Sequence, residues 1–279
     1  MAAIVYLNGK FLSELEAFIP AADRGFLFGD GVFTTIKVVE GEPEFLGLHL
    51  EKWERDCKTL GIVPRRIARK VIDELIQKNE AQAGIWRLKI LISGGEGPEF
   101  NLGKRSEGSL LMTLKPYKGQ PSPCRLIVYP YPVCRPLAAI KTLAFADLLW
   151  MADYAVKQGY DDAIVCDPQG MILETSVANV FWRQGNNLFF PNLSLPLYPG
   201  ITLQVILKIA EKMNLGIHPI KARLEEISTD AQFYLCNSMK GIVPVVSIGE
   251  KKFERDPSFE NSLHLAFQQA LSMRNQEGK

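Results

Sequence analysis

The stretch at positions 170–191, GMILETSVANVFWRQGNNLFFP, restricts the fold more than any other part of the chain. It contains three short apolar runs, MIL, NVFW and LFF, and the turn-forming residues QGNN separate the last two. Runs of this kind are typical of buried strands, yet an acid, Glu174, lies between the first two. Because a buried, unpaired carboxylate is costly, we expect Glu174 to face a group that requires an anion.

Strand and helix patterns alternate along the rest of the chain. An NG turn joins IVYL to KFL in a predicted hairpin, and further strands are predicted at VFTTIKVV, IWRLKILIS, SLLMTLKPY, RLIVYP and QFYLCNS. Helical periodicity is present near residues 49–60, 66–77, 144–158, 201–213 and 257–273. This mixture predicts an α+β fold with strands in both halves.

The segment YKGQPSPC, at 117–124, has the proline and glycine content of a linker. A chain of 279 residues is long enough for two domains with substantial cores. We therefore predict a small N-terminal α+β domain at 1–118, a linker at 119–125 and a larger C-terminal domain at 126–279.

Composition argues against several classes of protein. The net charge of +1, without a basic stripe, disfavours nucleic-acid binding, and no apolar run is long enough for a membrane span. The start, MAAIVYLNGKFL, lacks the features of a signal peptide. Five scattered cysteines without a CxxC pair favour free thiols in the cytoplasm. His49, His218 and His264 share no ligand spacing, so we expect no metal site.

Lys141 lies between apolar runs in the sequence AAIKTLAFADLL. Desolvation there would lower the pKa of its amine and make it a better nucleophile. A lysine in such a setting can also extend its head group to solvent, and the sequence leaves both alternatives open.

Two further segments have the features of a phosphate site. In YPGIT, Gly200 precedes an apolar-periodic helix, whose free N–H groups and partial positive charge suit an anion. In CNSMKGIVPV, a small polar turn follows a strand pattern, and Ser238 could donate a hydrogen bond to a phosphate oxygen. Each segment taken alone is equally compatible with an ordinary loop or turn.

One cofactor accounts for these features together. Pyridoxal 5'-phosphate requires a lysine for its Schiff base, an anion beside its pyridine nitrogen and an anion-binding site for its phosphate. A carboxylate at Glu174 would keep the pyridine nitrogen protonated, and the pyridinium would pair the buried charge. The sequence therefore predicts a pyridoxal-phosphate enzyme.

The motifs IKTL, ILETSVANVFW, YPGIT and CNSMKGIVPV follow DRGFLFGDGVFTTIKV and HLEKWERDCKTLGI in an order that resembles the fold-type IV pyridoxal-phosphate enzymes. That family includes branched-chain aminotransferases, D-amino-acid aminotransferases and 4-amino-4-deoxychorismate lyases. The resemblance extends from about Tyr6 to Val246. It implies a two-domain fold like that of D-amino-acid aminotransferase, with a larger, barrel-like C-terminal domain that binds the cofactor, and a homodimer.

The resemblance also implies roles for individual residues. Lys141 takes the position of the Schiff-base lysine, and Glu174 takes that of the partner of the pyridine nitrogen. The positions at the cofactor phosphate are occupied by Gly200, Ile201, Thr202, Asn237 and Ser238.

One position departs from the family pattern. The family helix usually reads HLxRL, and its arginine contacts the cofactor phosphate. This chain reads HLEKW, so Lys52 takes the position of that arginine. A lysine supplies the charge but not the bidentate fork of a guanidinium. Arg55, one helical turn further on, is the alternative phosphate ligand.

The loop sequences favour one of the family's reactions. The loop ISGGEGPEFNLG lacks the arginine–x–histidine pair typical of D-amino-acid aminotransferases, and the strand residues Ile85, Trp86 and Arg87 lack the tyrosine typical of branched-chain enzymes. The segments FGDGVFTT, ANVFW and CNSMKGIVPV resemble the lyases most. The prediction is thus aminodeoxychorismate lyase, with Arg87 and Lys240 as candidates for binding the substrate's negative charges.

Two alternatives stay open. One is an aminotransferase acting on branched-chain or D-amino acids. The other is a non-catalytic protein that kept the fold, and the intact Lys141 argues against it.

Overall fold

The structure is a computed structural model that describes residues 2–119 and 122–277, with the backbone alone for residues 273–277. The chain forms two compact units. The first comprises the described part of Met1–Lys118 together with Ile140–Phe145 and the described part of Asn275–Lys279. The second comprises the described part of Gly119–Ala139 and Ala146–Arg274.

The first unit contains a six-stranded antiparallel sheet and three α-helices among its described residues. The strands are β1 (Ile4–Leu7), β2 (Lys10–Ser13), β3 (Gly31–Val39), β4 (Glu42–Pro43), β5 (Ile85–Ser93) and β6 (Leu110–Pro116), in the spatial order β2-β1-β6-β5-β3-β4. The helices are α1 (Arg24–Phe28), α2 (Leu46–Thr59) and α3 (Arg69–Lys78).

The strands β3 and β5 are paired neighbours in this sheet. The two strands pair along their whole length, from Gly31 opposite Ser93 to Val39 opposite Ile85. Residues alternate between the two faces of the strands, so one face carries the buried apolar residues that pack against the helices. Phe33, Thr35, Arg87 and Lys89 lie on the opposite face.

The segment Ile140–Phe145 belongs to the first unit although it is far from it in sequence. Thr142 forms a bridge with Val32, and the Leu143 N–H donates to the Gly31 carbonyl at 2.9 Å. We expected all of 126–279 to form one domain, whereas these contacts group Ile140–Phe145 with the first unit. Local sequence gives no sign of them, because they join residues more than a hundred positions apart.

The second unit contains a nine-stranded mixed sheet among its described residues. Its strands are β7 (Cys124–Val128), β8 (Asp162–Cys166), β9 (Ile172–Thr175), β10 (Asn179–Gln184), β11 (Asn187–Pro191), β12 (Gly216–Ile220), β13 (Gln232–Asn237), β14 (Gly241–Ile248) and β15 (Lys251–Lys252). Its helices are α4 (Ala146–Lys157), α5 (Ile201–Lys212) and α6 (Pro257–Glu277). Because β7 begins at Cys124, the end of the predicted linker is strand rather than loop.

The order of the main strands is β12-β11-β10-β13-β14-β7-β8-β9, with β15 paired to β14. Although β9 is at one end of this order, it also lies against β10 and β11 near the other end. The sheet is therefore curled, as expected for a barrel-like domain. The stretch at 170–191 forms β9, β10 and β11, so the three strands predicted there are confirmed.

The α+β class is confirmed, and the predicted helices exist with shifted ends. The helix α2 begins at Leu46 instead of residue 49, because Phe45 at its start takes a left-handed backbone conformation with φ of 51°. Among the described residues, no helix combines the length and apolarity that a membrane span requires.

Candidate active site

Lys141 is held by the backbone of β3. The Phe33 N–H donates to the Lys141 carbonyl at 2.9 Å. The side chain is half-buried, and its Nζ lies 5.0 Å from the centre of the Phe33 ring and 5.5 Å from that of Phe145. Aromatic faces attract a cation, so these two rings confine the ammonium group. The head group of Lys141 therefore lies beside two aromatic rings, in a side chain that is half-buried.

Lys52 and Asp56 form a buried ion pair on α2, one helical turn apart. The Lys52 Nζ lies 2.9 Å from Asp56 Oδ1 and 3.1 Å from Oδ2. Burial lowers the pKa of Lys52, and the Asp56 carboxylate opposes this shift. Asp56 Oδ2 also accepts a hydrogen bond from the Lys141 N–H at 3.3 Å. Arg55 is exposed, so α2 directs Lys52 and not Arg55 into the unit.

His49 is a neutral histidine in the same region. Its ring is buried, and Nδ1 lies 2.8 Å from the Thr34 hydroxyl. Burial, and secondarily the charge of Lys141, lowers the pKa of His49 to about 3. The ring therefore carries no charge near neutral pH and takes part only as a hydrogen-bonding group.

Lys89 is a residue of this cluster that the sequence analysis missed. Its Nζ lies 4.3 Å from the centre of the Phe33 ring, the same ring that Lys141 contacts. Burial, and secondarily the charge of Arg87, lowers the pKa of Lys89. Arg87 itself is exposed two residues earlier on the same strand face, between Lys37 and Lys115 on the neighbouring strands. This face therefore carries a row of cations that begins beside Phe33.

Glu174 belongs to the second unit and lies among the polar groups of Tyr198, Asn179 and Arg135. The residue is 7% exposed, which confirms the expectation that its carboxylate is buried. Oε2 accepts hydrogen bonds from the Tyr198 N–H at 3.2 Å and from Asn179 Nδ2 at 3.4 Å. A guanidinium nitrogen of Arg135 lies 4.0 Å from Oε1. Two N–H donors and a nearby cation favour the ionised carboxylate.

The N-terminus of α5 is joined to Glu174 through Asn179. The Asn179 Oδ1 accepts the Gly200 N–H at 3.1 Å, while its Nδ2 reaches Glu174. Only glycine permits this approach, because a Cβ at position 200 would lie 2.2 Å from Asn179 Oδ1. No side chain of the described residues caps the helix, so the N–H groups of Ile201 and Thr202 stand at its positive end.

Asn237, Ser238 and Lys240 lie at the connection between β13 and β14. The Asn237 Oδ1 accepts the N–H groups of Met239 at 3.0 Å and Lys240 at 2.8 Å, so this side chain builds the turn. Its amide nitrogen donates to the Val177 carbonyl at 3.3 Å. The turn therefore adjoins the start of β10, where Asn179 lies.

The predicted residues thus fall into two sets. Lys52, Arg87 and Lys141 belong to the first unit, whereas Glu174, Gly200, Ile201, Thr202, Asn237, Ser238 and Lys240 belong to the second. The second set suits a phosphate-bearing cationic ring, because an uncapped helix N-terminus binds phosphate and a buried carboxylate binds a protonated nitrogen. In the first set, the Lys141 amine lies near two aromatic rings, and an amine in such a setting suits covalent attachment.

Comparison with known proteins gives one family. The sequence model of the family described as "Amino-transferase class IV" matches residues 31–248. The aminodeoxychorismate lyase of Bacillus subtilis (strain 168) is 27% identical over 260 residues, which cover 90% of this chain and 88% of the relative. The D-alanine aminotransferase of Bacillus licheniformis is 20% identical over 265 residues, covering 88% of each chain.

A solved structure has the same fold. The branched-chain aminotransferase of Thermoproteus uzoniensis, crystallised with norvaline, matches with a TM-score of 0.87 at 21% identity. The match covers 98% of this chain and 96% of that one. By their names, these proteins include a lyase and two aminotransferases, which are the two types of reaction that the sequence motifs leave as alternatives.

Proposed function

The chain belongs to the class IV aminotransferase family, a family of pyridoxal-phosphate enzymes, and from this premise we propose that it is an aminodeoxychorismate lyase. Such an enzyme converts 4-amino-4-deoxychorismate into 4-aminobenzoate and pyruvate. The similarity to the lyase of Bacillus subtilis supports this reaction. The observation that carries the proposal is the half-buried Lys89, whose ammonium lies against the same ring as that of Lys141.

The resemblance assigns cofactor-binding roles to residues of each unit. The N–H groups at the start of α5, with Thr202, would bind the phosphate, and the turn at Ser238 would supply a further donor. Lys52 would add a charge, although Asp56 already pairs with it. We therefore expect the phosphate to depend more on the α5 N-terminus than on Lys52.

Two residues would carry out the chemistry. Pyridoxal phosphate, when bound, supplies an electron sink for a carbanion next to the substrate nitrogen. Lys141 would attach the cofactor and, as a free amine, take the proton from the substrate carbon that bears the nitrogen. Glu174 would keep a proton on the pyridine nitrogen, and its two N–H donors and Arg135 would keep the carboxylate ionised.

Substrate charge is the basis for choosing the lyase. The substrate carries two carboxylates, one on the ring and one on the enolpyruvyl group, so it needs at least two cationic partners. Lys89 would bind one carboxylate, and Arg87, further along the same strand face, would meet the more exposed one. A branched-chain side chain would instead require an apolar surface, which a row of cations does not offer.

The second candidate is an aminotransferase acting on branched-chain or D-amino acids. The structural match to the Thermoproteus enzyme favours it, and the same lysine and glutamate would serve that reaction. The lyase and aminotransferase reactions differ in the atom to which the proton returns and in the bond that breaks. Both depend on how the substrate is oriented.

Product analysis tests the proposal. The holoenzyme is incubated with 4-amino-4-deoxychorismate, and pyruvate and 4-aminobenzoate are measured over time. The proposed reaction forms the two products in equal amounts. Parallel incubations contain branched-chain or D-amino acids with 2-oxoglutarate, and keto acids are measured. We expect rapid pyruvate release that Lys89→Met slows mainly by raising KM. Keto-acid production without pyruvate release would favour the aminotransferase instead.

The proposal extends to assembly and location. Both units expose large apolar side chains, among them Phe18 and Phe26 in the first and Leu149 and Trp150 in the second. Such surfaces support a homodimer. Sedimentation at micromolar concentration tests it, and a fully active monomer would contradict it. All five cysteines are free, which supports the cytoplasm as the location.

A further inference from the structure

The motif DRGFLFGD, at 23–30, has no part in the chemistry described so far. Its three charged residues, Asp23, Arg24 and Asp30, are nevertheless withdrawn from solvent, and the side chain of Arg24 is only 3% exposed. Burying a charge is costly unless it is paired, so these residues must make contacts that offset the cost. Their partners lie in or beside the loop at 94–108, which connects β5 to β6.

Asp23 joins the two ends of this loop. Its Oδ2 accepts hydrogen bonds from the Ser93 hydroxyl at 2.6 Å and from the Ser109 hydroxyl at 2.9 Å. Its Oδ1 accepts the Gly25 N–H at 2.8 Å and so caps α1. Since Ser93 precedes the loop and Ser109 follows it, Asp23 fixes the distance between the two ends.

Asp30 holds the body of the loop through two arginines. Its Oδ2 lies 2.7 Å from Arg24 Nε and 3.1 Å from Arg105 Nε. Arg24 donates to the carbonyls of Pro98 and Glu99 in the loop. Arg105, at the far side of the loop, donates to the carbonyl of Leu60 at the end of α2. We call the group Arg24, Asp30 and Arg105 the Asp30 clasp.

The clasp is continuous with the segment that carries Lys141. The Gly94 N–H donates to the Asp30 carbonyl at 2.7 Å, and the Leu143 N–H donates to the Gly31 carbonyl at 2.9 Å. The adjacent residues Asp30 and Gly31 therefore bind two segments. Asp30 binds Gly94, at the start of the loop, and Gly31 binds Leu143, two residues after Lys141. The approach at Gly94 is close, because a Cβ there would lie 2.4 Å from Asp30 Oδ2.

From this geometry we propose that the Asp30 clasp is a positioning device, which holds the loop at 94–108 beside Lys141 and thereby sets the enzyme's affinity for its substrate. The inference rests on the proposed function only for the identity of that substrate. The loop's outer part is exposed up to Phe100, whose side chain is 98% exposed, so its shape depends on these buried contacts at its base. Arg24 binds the loop through the carbonyls of Pro98 and Glu99, and Asp30 binds it through the side chain of Arg105.

Limited proteolysis measures the clasp without any substrate. Chymotrypsin is added to the holoenzyme, and cleavage after Phe100 is followed by mass spectrometry. In Asp30→Asn, two buried guanidinium groups lose their shared carboxylate, so we expect this cleavage to become at least about tenfold faster. Arg105→Met removes one cation and keeps the Arg24–Asp30 pair. It serves as the milder variant should Asp30→Asn fail to fold, and we expect it to accelerate the same cleavage.

The matched control is Asp73→Asn. Asp73 also pairs with an arginine, Arg69, at 2.6 Å, but this pair is exposed on α3 of the same unit. We expect no change in cleavage after Phe100. With the substrate identified by product analysis, the two clasp variants should raise KM more than they lower kcat and should leave cofactor affinity unchanged.

Two results would overturn the inference. One is a cleavage rate after Phe100 that is the same in the clasp variants as in the unsubstituted protein. The other is faster cleavage with an unchanged KM. If the unsubstituted protein converts none of the tested substrates, the proposed function fails separately, and the cleavage rates still decide whether the clasp holds the loop.

Discussion

In the first unit, the polar group around Lys52 and Asp56 contains a buried cation. In the second unit, the polar group around Glu174 contains a buried anion. Lys52 is compensated by a full negative charge, that of Asp56, one turn away on the same helix. The contacts of Glu174 include two neutral donors, the Tyr198 N–H and the Asn179 amide, and the Arg135 charge at the longer distance of 4.0 Å.

This difference has a chemical consequence. The Lys52 ammonium lies 2.9 Å from a carboxylate oxygen of Asp56 and so has less to offer a ligand, whereas the Arg135 guanidinium lies 4.0 Å from Glu174, which leaves this carboxylate better suited to a second cationic partner. The first unit should therefore contribute reactive and orienting amines, and the second should contribute most of the cofactor's electrostatic binding. Substitutions on the two sides should accordingly fail in different ways.

The largest effect is expected for Lys141→Ala. The variant lacks the amine that attaches the cofactor and moves the proton, so turnover should fall by about 10³-fold or more. The visible absorbance of the lysine-bound cofactor should disappear while the protein stays folded. Lys58→Ala, an exposed lysine on α2, is the control and should behave like the unsubstituted protein. Substantial pyruvate release by Lys141→Ala would refute the role of this lysine.

Glu174→Gln should come next, with kcat reduced on the order of 10²-fold and KM changed less. The amide keeps the size and the hydrogen-bonding capacity of the side chain but cannot pair with a protonated ring nitrogen. Glu174→Asp retains the charge and should be milder. The measurement is steady-state kinetics with cofactor occupancy checked by absorbance. Near-normal kcat at full occupancy in the Gln variant would show that the charge is not needed.

The Lys52–Asp56 pair should affect stability more than chemistry. Asp56→Asn removes the carboxylate charge that lies 2.9 Å from the buried Lys52 ammonium, so the free energy of unfolding should fall by about 3 kcal/mol. The double variant Lys52→Met/Asp56→Leu should recover most of this loss, because it removes both charges. Denaturant titration measures both variants, and Asp73→Asn, at an exposed pair, should cost ~0.5 kcal/mol. An equally small cost at Asp56 would mean that the pair is not effectively buried.

The smallest effect concerns His49 and pH. The pKa of His49 lies near 3 in the folded chain and near 6.5 in the unfolded chain, so only the unfolded chain binds this proton in between. Stability from this residue is therefore complete above pH 6.5 and decreases as the pH falls, by up to ~1.4 kcal/mol per pH unit. His49→Gln should flatten the decrease between pH 6.5 and 5, whereas the exposed His264→Gln should not. Identical pH profiles for the two variants would contradict a buried, neutral His49.

Local sequence pointed to two residues, Glu174 and Gly200, that the structure joins through Asn179. Glu174 stood out because an acid lies within apolar strand runs, and Gly200 because it precedes a helix with apolar periodicity. Both signals come from residues that are close in sequence and act through strand alternation or a helix end. The sequence does not reveal that Asn179 links them, since its hydrogen bonds to Glu174 and Gly200 depend on how β10 meets the start of α5.

The first cluster depends on contacts between residues distant in sequence, so fewer of its members could be predicted from the sequence. Lys89 was missed because a lysine at an alternate position of a strand is usually exposed, and only the β3–β5 register brings it to Phe33. Asp56 could have been found from its i,i+4 spacing to Lys52 between the apolar residues Trp53 and Cys57. The placement of Ile140–Phe145 in the first unit had no local signal at all.

The most direct test of the account is to find which residue carries the cofactor. The holoenzyme is reduced with borohydride, which fixes the cofactor irreversibly to its lysine, and the digested protein is mapped by mass spectrometry. We expect one modified peptide, with the cofactor on Lys141, and we expect Glu174→Gln to be modified at the same residue. A modified peptide containing another lysine, or no modified peptide from the cofactor-loaded protein, would contradict this expectation.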